Sequence, residues 1–556
     1  MKKSKSRLII LGLSILSSVT ILNSCVNNED TSIKAPTNYT AGDIQSYADL
    51  FDVFWNTMDQ RYNYFYEQKR IDGMDWNSIY KKYHPKFKEL KTFGRATDND
   101  GEINEDFLKA YQYFSEIIDP IIDQHFYVTI ALPRSNNSVI SNVNFSGGML
   151  TGENHNIYPF ASKYGYMKNR VATNSLVSTN FALAGYLKTN PDIYYLTFAQ
   201  FALSTNFQLN LNDKYLSPDN GNALILTEEI IDKSDALNAI KDEATRKKVR
   251  DFTVNVLNEW NKFPKSAEVA TFNSELTKFK NTEIVSDQFL TAAQTALAKS
   301  KTLIAYSSTT TYAPVLTTET LPYISWFASQ MTNHASWAYR LPQFQDAATA
   351  ISAKAPFYTQ FLNPLHKGDI KKIIIDLRGN GGGAVVDARF FSDRFITKNT
   401  IFGYQRAKEG NGQFNYTPWV EAQTNPHKFG IPANIPITIL TDKGSASMSE
   451  ITTLMLKSQG NHVVSIGDYS AGATAGLGSS DDFNGGTRDV VAGRLTFYMP
   501  LLAMKDANGE VIEGTGVKPN IYVTPPTNEE LAAMTSSPTT FVDRVLNEAI
   551  KYLSSK

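Results

Sequence analysis

Ile373-Ile-Ile-Asp-Leu-Arg-Gly-Asn-Gly-Gly-Gly383 is the stretch on which the reading of this chain turns. Its isoleucines and leucine form a short apolar run from Ile373 to Leu377, the pattern of a strand buried on both faces, and that run leads directly into a glycine turn. A second stretch of the same kind follows. Ile437 to Leu440 reads as another buried strand, and Gly444-Ser-Ala-Ser-Met-Ser-Glu450 leads from it into a helix that opens with serines, with Gly467-Asp468 further on. Flexible backbone amides close to a serine at a helix N-terminus are the minimum equipment for acyl transfer.

From Lys371 onward strands and helices alternate at short intervals, which argues α/β architecture, and Phe541, Val545, Ala549, Ile550 and Leu553 close the chain on one helical face. Upstream, two runs are candidates to enter the same sheet. Asp192 to Phe201 alternates as a strand does, and Leu321-Pro-Tyr-Ile-Ser-Trp-Phe327 is also strand-like, ahead of a helix near Asp346 to Leu362. Between them, Asn206 to Thr320 reads as a mainly helical insertion, with Val249, Phe252, Val256 and Trp260 on one face. Asn136 to Tyr158, rich in Asn, Ser and Gly, reads as a loop. From Ile44 to Ile118 the period is helical: Phe51, Val53, Phe54, Met58, Tyr62 and Phe65 in one stretch, then Phe107, Tyr111, Phe114 and Ile118. That aromatic stripe is read as the core of a small bundle rather than as a binding surface.

At the N-terminus, Lys2, Lys3, Lys5 and Arg7 precede an apolar segment from Leu8 to Leu22 and then Cys25, the one cysteine of the chain. The segment is shorter than the roughly 20 residues of a membrane span and reads as a secretory signal. A lipidated Cys25 accounts for both facts; an ordinary secreted protein with a chance cysteine is the alternative. Residues 26–43, polar and containing Pro36, suit a flexible tether. After cleavage and lipidation no thiol is left for a disulfide or a nucleophile. A formal net charge of -1 argues against nucleic acid as a partner, and no Cys/His cluster has metal-ligand spacing. No cofactor is expected.

Each of the two motifs has a rival reading. Gly379-Asn-Gly381-Gly-Gly-Ala384 after a strand also fits a dinucleotide fingerprint, but that fold expects an acidic residue about 20 positions onward, and Phe395 to Thr400 offers none. Ser447-Met-Ser-Glu450 is also a capping box, in which serine and glutamate satisfy each other's amides. Capping and nucleophilicity can coexist.

Asp376-Leu-Arg-Gly-Asn-Gly-Gly-Gly383, Ser445-Ala-Ser-Met-Ser-Glu450, Gly467-Asp468 and Glu513-Gly-Thr-Gly-Val-Lys-Pro-Asn520 occur in an order that resembles the C-terminal processing (tail-specific) serine peptidases and the tricorn protease core. The helical N-terminus with Asp123-Gln-His125 is similar to the opening domain of the tricorn-like branch, and the leader, with its acidic Asn27-Asn-Glu-Asp30, resembles those of Bacteroidetes surface lipoproteins. The resemblance implies an α/β, crotonase/ClpP-like peptidase core over residues 321–556, a helical domain over 44–130 and a variable region over 131–320. It also implies an outer-membrane lipoprotein at the cell surface or on the periplasmic face.

Carried over by that resemblance, Ser447 is the nucleophile, the amides of Met448 and Gly382 form the oxyanion hole, and Glu513 matches an assisting glutamate of the tricorn branch. The base departs from the pattern. Ala473 falls where tail-specific peptidases carry a lysine, and Thr197 or Ser325 falls where the tricorn branch carries a histidine. None of the seven histidines has a recognisable spacing to Ser447; His334 and Lys443 are the nearest candidates. Two functions follow: a peptidase cleaving extended polypeptides held as an added strand, or a peptidase-fold protein that binds a peptide, glycan or apolar ligand without cutting it.

Overall fold

The computed structural model describes residues 37–95, 101–133, 140–148, 156–178, 180–219, 221–474, 488–500 and 502–556. The leader, Cys25 and most of the tether lie outside them. The chain forms two compact units, one of residues 1–151, 405–420 and 475–503, the other of residues 152–404, 421–474 and 504–556.

In the first unit the helices Tyr47–Arg61, Phe65–Asp72, Trp76–Glu89 and Gly101–Ile118 bury Phe51, Val53, Phe54, Met58, Tyr62, Phe65, Phe114 and Ile118 of the stripe, whereas Phe107 is half-buried and Tyr111 is exposed. The Phe87 ring lies 4.8 Å from Phe51 and 4.8 Å from Phe114, centroid to centroid. Ser46 caps the first of these helices by accepting the Asp49 amide, and Gly73 ends the second in the left-handed region. The same unit holds an antiparallel sheet in the order Arg488–Val491, Leu495–Tyr498, Tyr127–Pro133, Ile140–Ser146. The expected loop from Asn136 therefore contains a strand. Its Asn142 and Asn144 are exposed while Phe145 is buried, so this half-solvated strand has a loop-like composition.

The second unit is built on a seven-stranded sheet in the order Ile521–Tyr522, Val463–Gly467, Ile437–Thr441, Ile373–Asp376, Tyr194–Phe198, Ala182–Tyr186, Leu176–Ser178. The first five run parallel, and the last two are antiparallel additions. Ile373–Asp376 and Ile437–Thr441 are buried at every position, which is why they read as continuous apolar runs. Alternate residues serve opposite faces. Ile373, Ile375, Ile437 and Ile439 join a core with the helical residues Phe361 and Leu362, whereas Ile374, Leu440 and Ile466 pack with Val545, Ala549 and Leu553 of the last helix, Arg544–Ser554.

The strand-like run at Leu321 is corrected: Leu321–Thr332 is a helix, and Ser325 lies on it rather than in the sheet. Tyr323, Ile324, Phe327 and Met331 are buried at three-to-four spacing, and Pro322 sits in the first turn, where its missing N–H is harmless. Over seven aromatic-rich residues the two periods are hard to tell apart. Among the described residues no helix is long and apolar enough to cross a membrane.

Candidate functional site

The carboxyl ends of four adjacent parallel strands deliver the site. Tyr194–Phe198 leads to Phe201, Ile373–Asp376 to the glycine turn, Ile437–Thr441 to the serine segment and Val463–Gly467 to a loop ending at Thr474. Open α/β sheets place ligands outside these strand ends.

Ser447 stands immediately before the helix Met448–Lys457, with φ +53° and ψ -115°. A non-glycine residue in the left-handed region stores about 1–3 kcal/mol and persists only where its surroundings over-determine it. Here they do. The Ser447 N–H is shared between the Ala473 carbonyl at 3.0 Å and Glu450 Oε2 at 2.9 Å, and its carbonyl accepts the Glu450 amide at 2.9 Å. Its side chain faces that amide as in a capping box but makes no capping hydrogen bond, and Ser447 is partly exposed. Met448 N–H, the first of the helix's orphan donors, meets no acceptor among the described residues.

The glycine turn presses against this serine. A Cβ on Gly382, whose φ is +92°, would stand 2.7 Å from Ser447 Cβ and 2.8 Å from Met448 N, so only glycine keeps the space above that amide open. The Gly382 amide itself donates to Asn380 Oδ1 at 3.0 Å, so the donor expected from it is engaged within the turn. Asn380 ties three segments together: its Nδ2 donates to the Phe198 carbonyl, and its carbonyl accepts from Ala446 N–H and Ser449 Oγ–H. Phe201 pairs with Gly383 and secures the other side of the turn.

Glu450 is fully buried. Oε1 accepts from Ser470 Oγ–H at 2.6 Å and Gly472 N–H at 2.7 Å; Oε2 accepts from Ala473 N–H and Ser447 N–H, both at 2.9 Å. Burial raises its pKa, and those four donors oppose the rise. Such a carboxylate shapes the loop and has no acceptor left to serve as a base. Asp442 plays a comparable part nearby, accepting from the amides of Gly379, Gly444 and Tyr158 at 2.7, 2.9 and 2.9 Å.

Beneath the turn lies a buried charge cluster. Arg378 bonds Asp376 Oδ2 at 2.7 Å and Asp543 at 2.8 and 2.9 Å, and its guanidinium lies 3.9 Å from the Tyr158 ring centroid. Lys163, also fully buried, reaches Asp376 Oδ1 at 3.2 Å and the Arg378 carbonyl. Burial alone would raise the Asp376 carboxyl, but Arg378 and Lys163 hold it well below the usual carboxylate range.

The base candidates are placed as follows. Ala473 is beside Ser447, joined to it backbone to backbone. Thr197 Oγ1 donates to the Asp376 carbonyl at 2.9 Å, and Glu513 Oε2 accepts the Thr474 amide at 2.8 Å. His334 Nδ1 accepts the Leu226 amide at 2.9 Å and its Nε2 meets Asn261 Oδ1, while burial pushes its pKa down to about 4. Lys443 Nζ donates to the Thr515 carbonyl at 3.2 Å. His155 lies outside the described residues. Among the described residues Ser447 Oγ hydrogen-bonds to no histidine or lysine. The Asn380 latch and the Lys163 contact escaped sequence reasoning, and of the two only Asn380 lies in a quoted motif.

A partly exposed serine at a helix N-terminus thus stands against a glycine turn at the ends of parallel strands in an α/β unit. The model of peptidase family S41 matches residues 339–523. The carboxy-terminal processing protease CtpB of Bacillus subtilis is 28% identical over 213 residues, 37% of this chain and 38% of that one. A CtpA-like serine protease of Staphylococcus aureus is 28% identical over 179 residues, 31% of this chain and 32% of its own length. The chain thus spans about a third of each curated relative. A crystal structure of a peptidase from Parabacteroides merdae aligns over 92% of this chain and 97% of its own, at 14% identity and a TM-score of 0.45. Residues 339–523 are thus similar to peptidase family S41, and part of the chain is similar to C-terminal processing proteases.

Proposed function

We propose that the second unit is a serine peptidase of the C-terminal processing type, acting on extended polypeptides through Ser447. The observation that carries this reading is the strained, partly exposed Ser447 with Gly382 against its Cβ and the Met448 amide open beside it. In that mechanism Ser447 Oγ bonds to the scissile carbonyl carbon while the carbonyl electron pair moves onto oxygen within reach of Met448 N–H. The hydroxyl proton passes through solvent water to the amide nitrogen, the C–N bond breaks to release the amine, and a second water hydrolyses the acyl ester and restores the hydroxyl. A single such donor contributes roughly a hundredfold or more in rate. The helix dipole adds on the order of 1 kcal/mol for the same charge. The core is proposed to be crotonase/ClpP-like, and Cys25 to anchor the chain as a lipoprotein at the outer membrane. Cys25→Ser should move the protein from the membrane to the soluble fraction, and an unchanged distribution would reject the anchor.

A second reading, binding without hydrolysis, is favoured by Ala473. A methyl group stands where the resemblance places a lysine, and base assistance is typically worth roughly 10² to 10⁴ in rate. A fluorophosphonate probe separates the two. Labelling of Ser447 that is lost in Ser447→Ala supports the peptidase; absence of any adduct supports the binder.

A further inference from the structure

At the same end of the sheet, a cavity of about 450 Å³ is lined by Lys443, Asp468, Tyr469, Lys518, Pro519 and Tyr522. Lys443 lies four residues before Ser447 on the turn that carries it, and Asp468 and Tyr469 open the loop that reaches Ala473. We infer that this cavity is a subsite for an acidic side chain of an extended peptide; the inference rests on the polypeptide-binding reading of the neighbouring serine but not on hydrolysis.

Lys443 and Lys518 bring two ammonium groups to the lining beside the carboxylate of Asp468, and Lys443 and Asp468 each have further interactions of their own. The carboxylate is withdrawn: Asp468 is 7% exposed, and its Oδ1 accepts the Tyr469 amide at 2.7 Å. Lys443 is held in place by the Thr515 carbonyl and lies over the Tyr469 ring, 5.6 Å from its centroid. Lys518 is exposed and makes no ion pair among the described residues. Its backbone is nevertheless fixed, because Lys457 Nζ donates to its carbonyl at 2.9 Å and the following Asn520 Oδ1 accepts the Ser465 amide at 3.0 Å. The cation therefore projects from an ordered backbone wall.

The edge of the sheet says why the occupant is a peptide rather than a free anion. Ile521–Tyr522 is the terminal strand, paired on one side with Val463–Gly467, and its outer side has no partner strand among the described residues. Tyr522, 58% exposed, belongs both to that strand and to the cavity. A peptide added along the edge gains main-chain hydrogen bonds and directs alternate side chains toward one face, where the lysines discriminate among them.

The test uses the full mature chain carrying Ser447→Ala, so that nothing is cleaved, and measures fluorescence anisotropy with a fluorescein-labelled peptide of alternating Ala and Glu, amidated at its C-terminus, beside its Ala–Gln counterpart. The Glu peptide should bind about tenfold more tightly, and the advantage should shrink as salt is raised. Lys518→Gln removes an exposed side chain without a described partner; it should reduce the Glu preference severalfold and leave the Gln peptide and the melting temperature unchanged. Equal binding of the two peptides, binding of neither, or a Glu preference untouched by Lys518→Gln would overturn the subsite. If fluorophosphonate labels Ser447 while the acidic preference is absent, the subsite alone falls; a preserved preference without labelling keeps the subsite and removes hydrolysis.

Discussion

Two buried carboxylates at neighbouring strand ends meet opposite company. Asp376, fully buried, is answered by charge: Arg378 and Lys163 reach it, and Asp543 balances the arginine from the far side. Glu450, equally buried, is answered by dipoles alone, one hydroxyl and three amides. The first arrangement is a scaffold under the glycine turn. The second draws the 470–473 loop onto Ser447 while using all the acceptor capacity a base would need. The difference separates platform from chemistry: both carboxylates are compensated, and among the described residues no histidine or lysine hydrogen-bonds to Ser447 Oγ.

The largest expected effect tests the scaffold. Arg378→Leu leaves Asp543 buried without its cation and Asp376 with Lys163 alone, and should destabilise the second unit by about 3–5 kcal/mol, measured by urea denaturation. The same comparison has a pH signature. Asp376 titrates below its ordinary range in the fold, so its contribution is complete above roughly pH 4 and is lost as pH falls below that. Glu450 is shifted upward, so the fold holds its proton more tightly than the unfolded chain does; its share of stability declines as pH rises through and above the ordinary carboxylate range. Arg378→Leu should flatten the acid limb, and Glu450→Gln should remove the slope of opposite sign. Identical pH profiles for the two variants would show that the carboxylates do not differ in kind.

How much of this was legible follows from which contacts are local. Ile373–Asp376 and Ile437–Thr441 announce themselves because burial on both faces makes an unbroken apolar run, and Met448–Lys457 because serine and glutamate mark its start. Leu321–Thr332 misled because seven residues of mixed aromatics satisfy either period, and Ile140–Ser146 because its exposed face is Asn and Ser. The inner structure of the site was out of reach for another reason. Lys163 lies 213 residues before Asp376, on the helix Phe160–Lys168, where one lysine has no spacing signal. Glu450 could be seen as a cap, but its other three donors arrive from a loop twenty and more residues away.

An intermediate effect is expected at the contact between the two motifs. Gly382→Ala places a methyl group in the left-handed region, which costs about 1–2 kcal/mol. It also puts that methyl against Ser447 Cβ and over the Met448 amide. Stability should fall by more than that strain alone, since Ala446 O, Ser447 Cβ and Met448 N must all give way, and fluorophosphonate labelling should fall much further because the Met448 donor is blocked. Labelling that survives Gly382→Ala would mean that the negative charge develops elsewhere, and the Met448 assignment would be withdrawn.

The smallest expected effect is the most discriminating. If Ser447 served mainly as a helix cap, Ser447→Ala would cost about 1 kcal/mol. Its side chain makes no capping hydrogen bond, however; the carboxylate of Glu450 binds the residue's own amide, and its carbonyl takes the amide of Glu450. All of those partners are backbone or belong to Glu450, so alanine preserves them, and the left-handed strain is carried equally by both residues. The change in unfolding free energy should therefore fall below about 0.5 kcal/mol, the range of substitutions that touch no structural feature. A loss of 1 kcal/mol or more would return Ser447 to a structural role. Near-neutrality would leave the strain at this position without a structural beneficiary, as expected where a fold holds a reactive group in place.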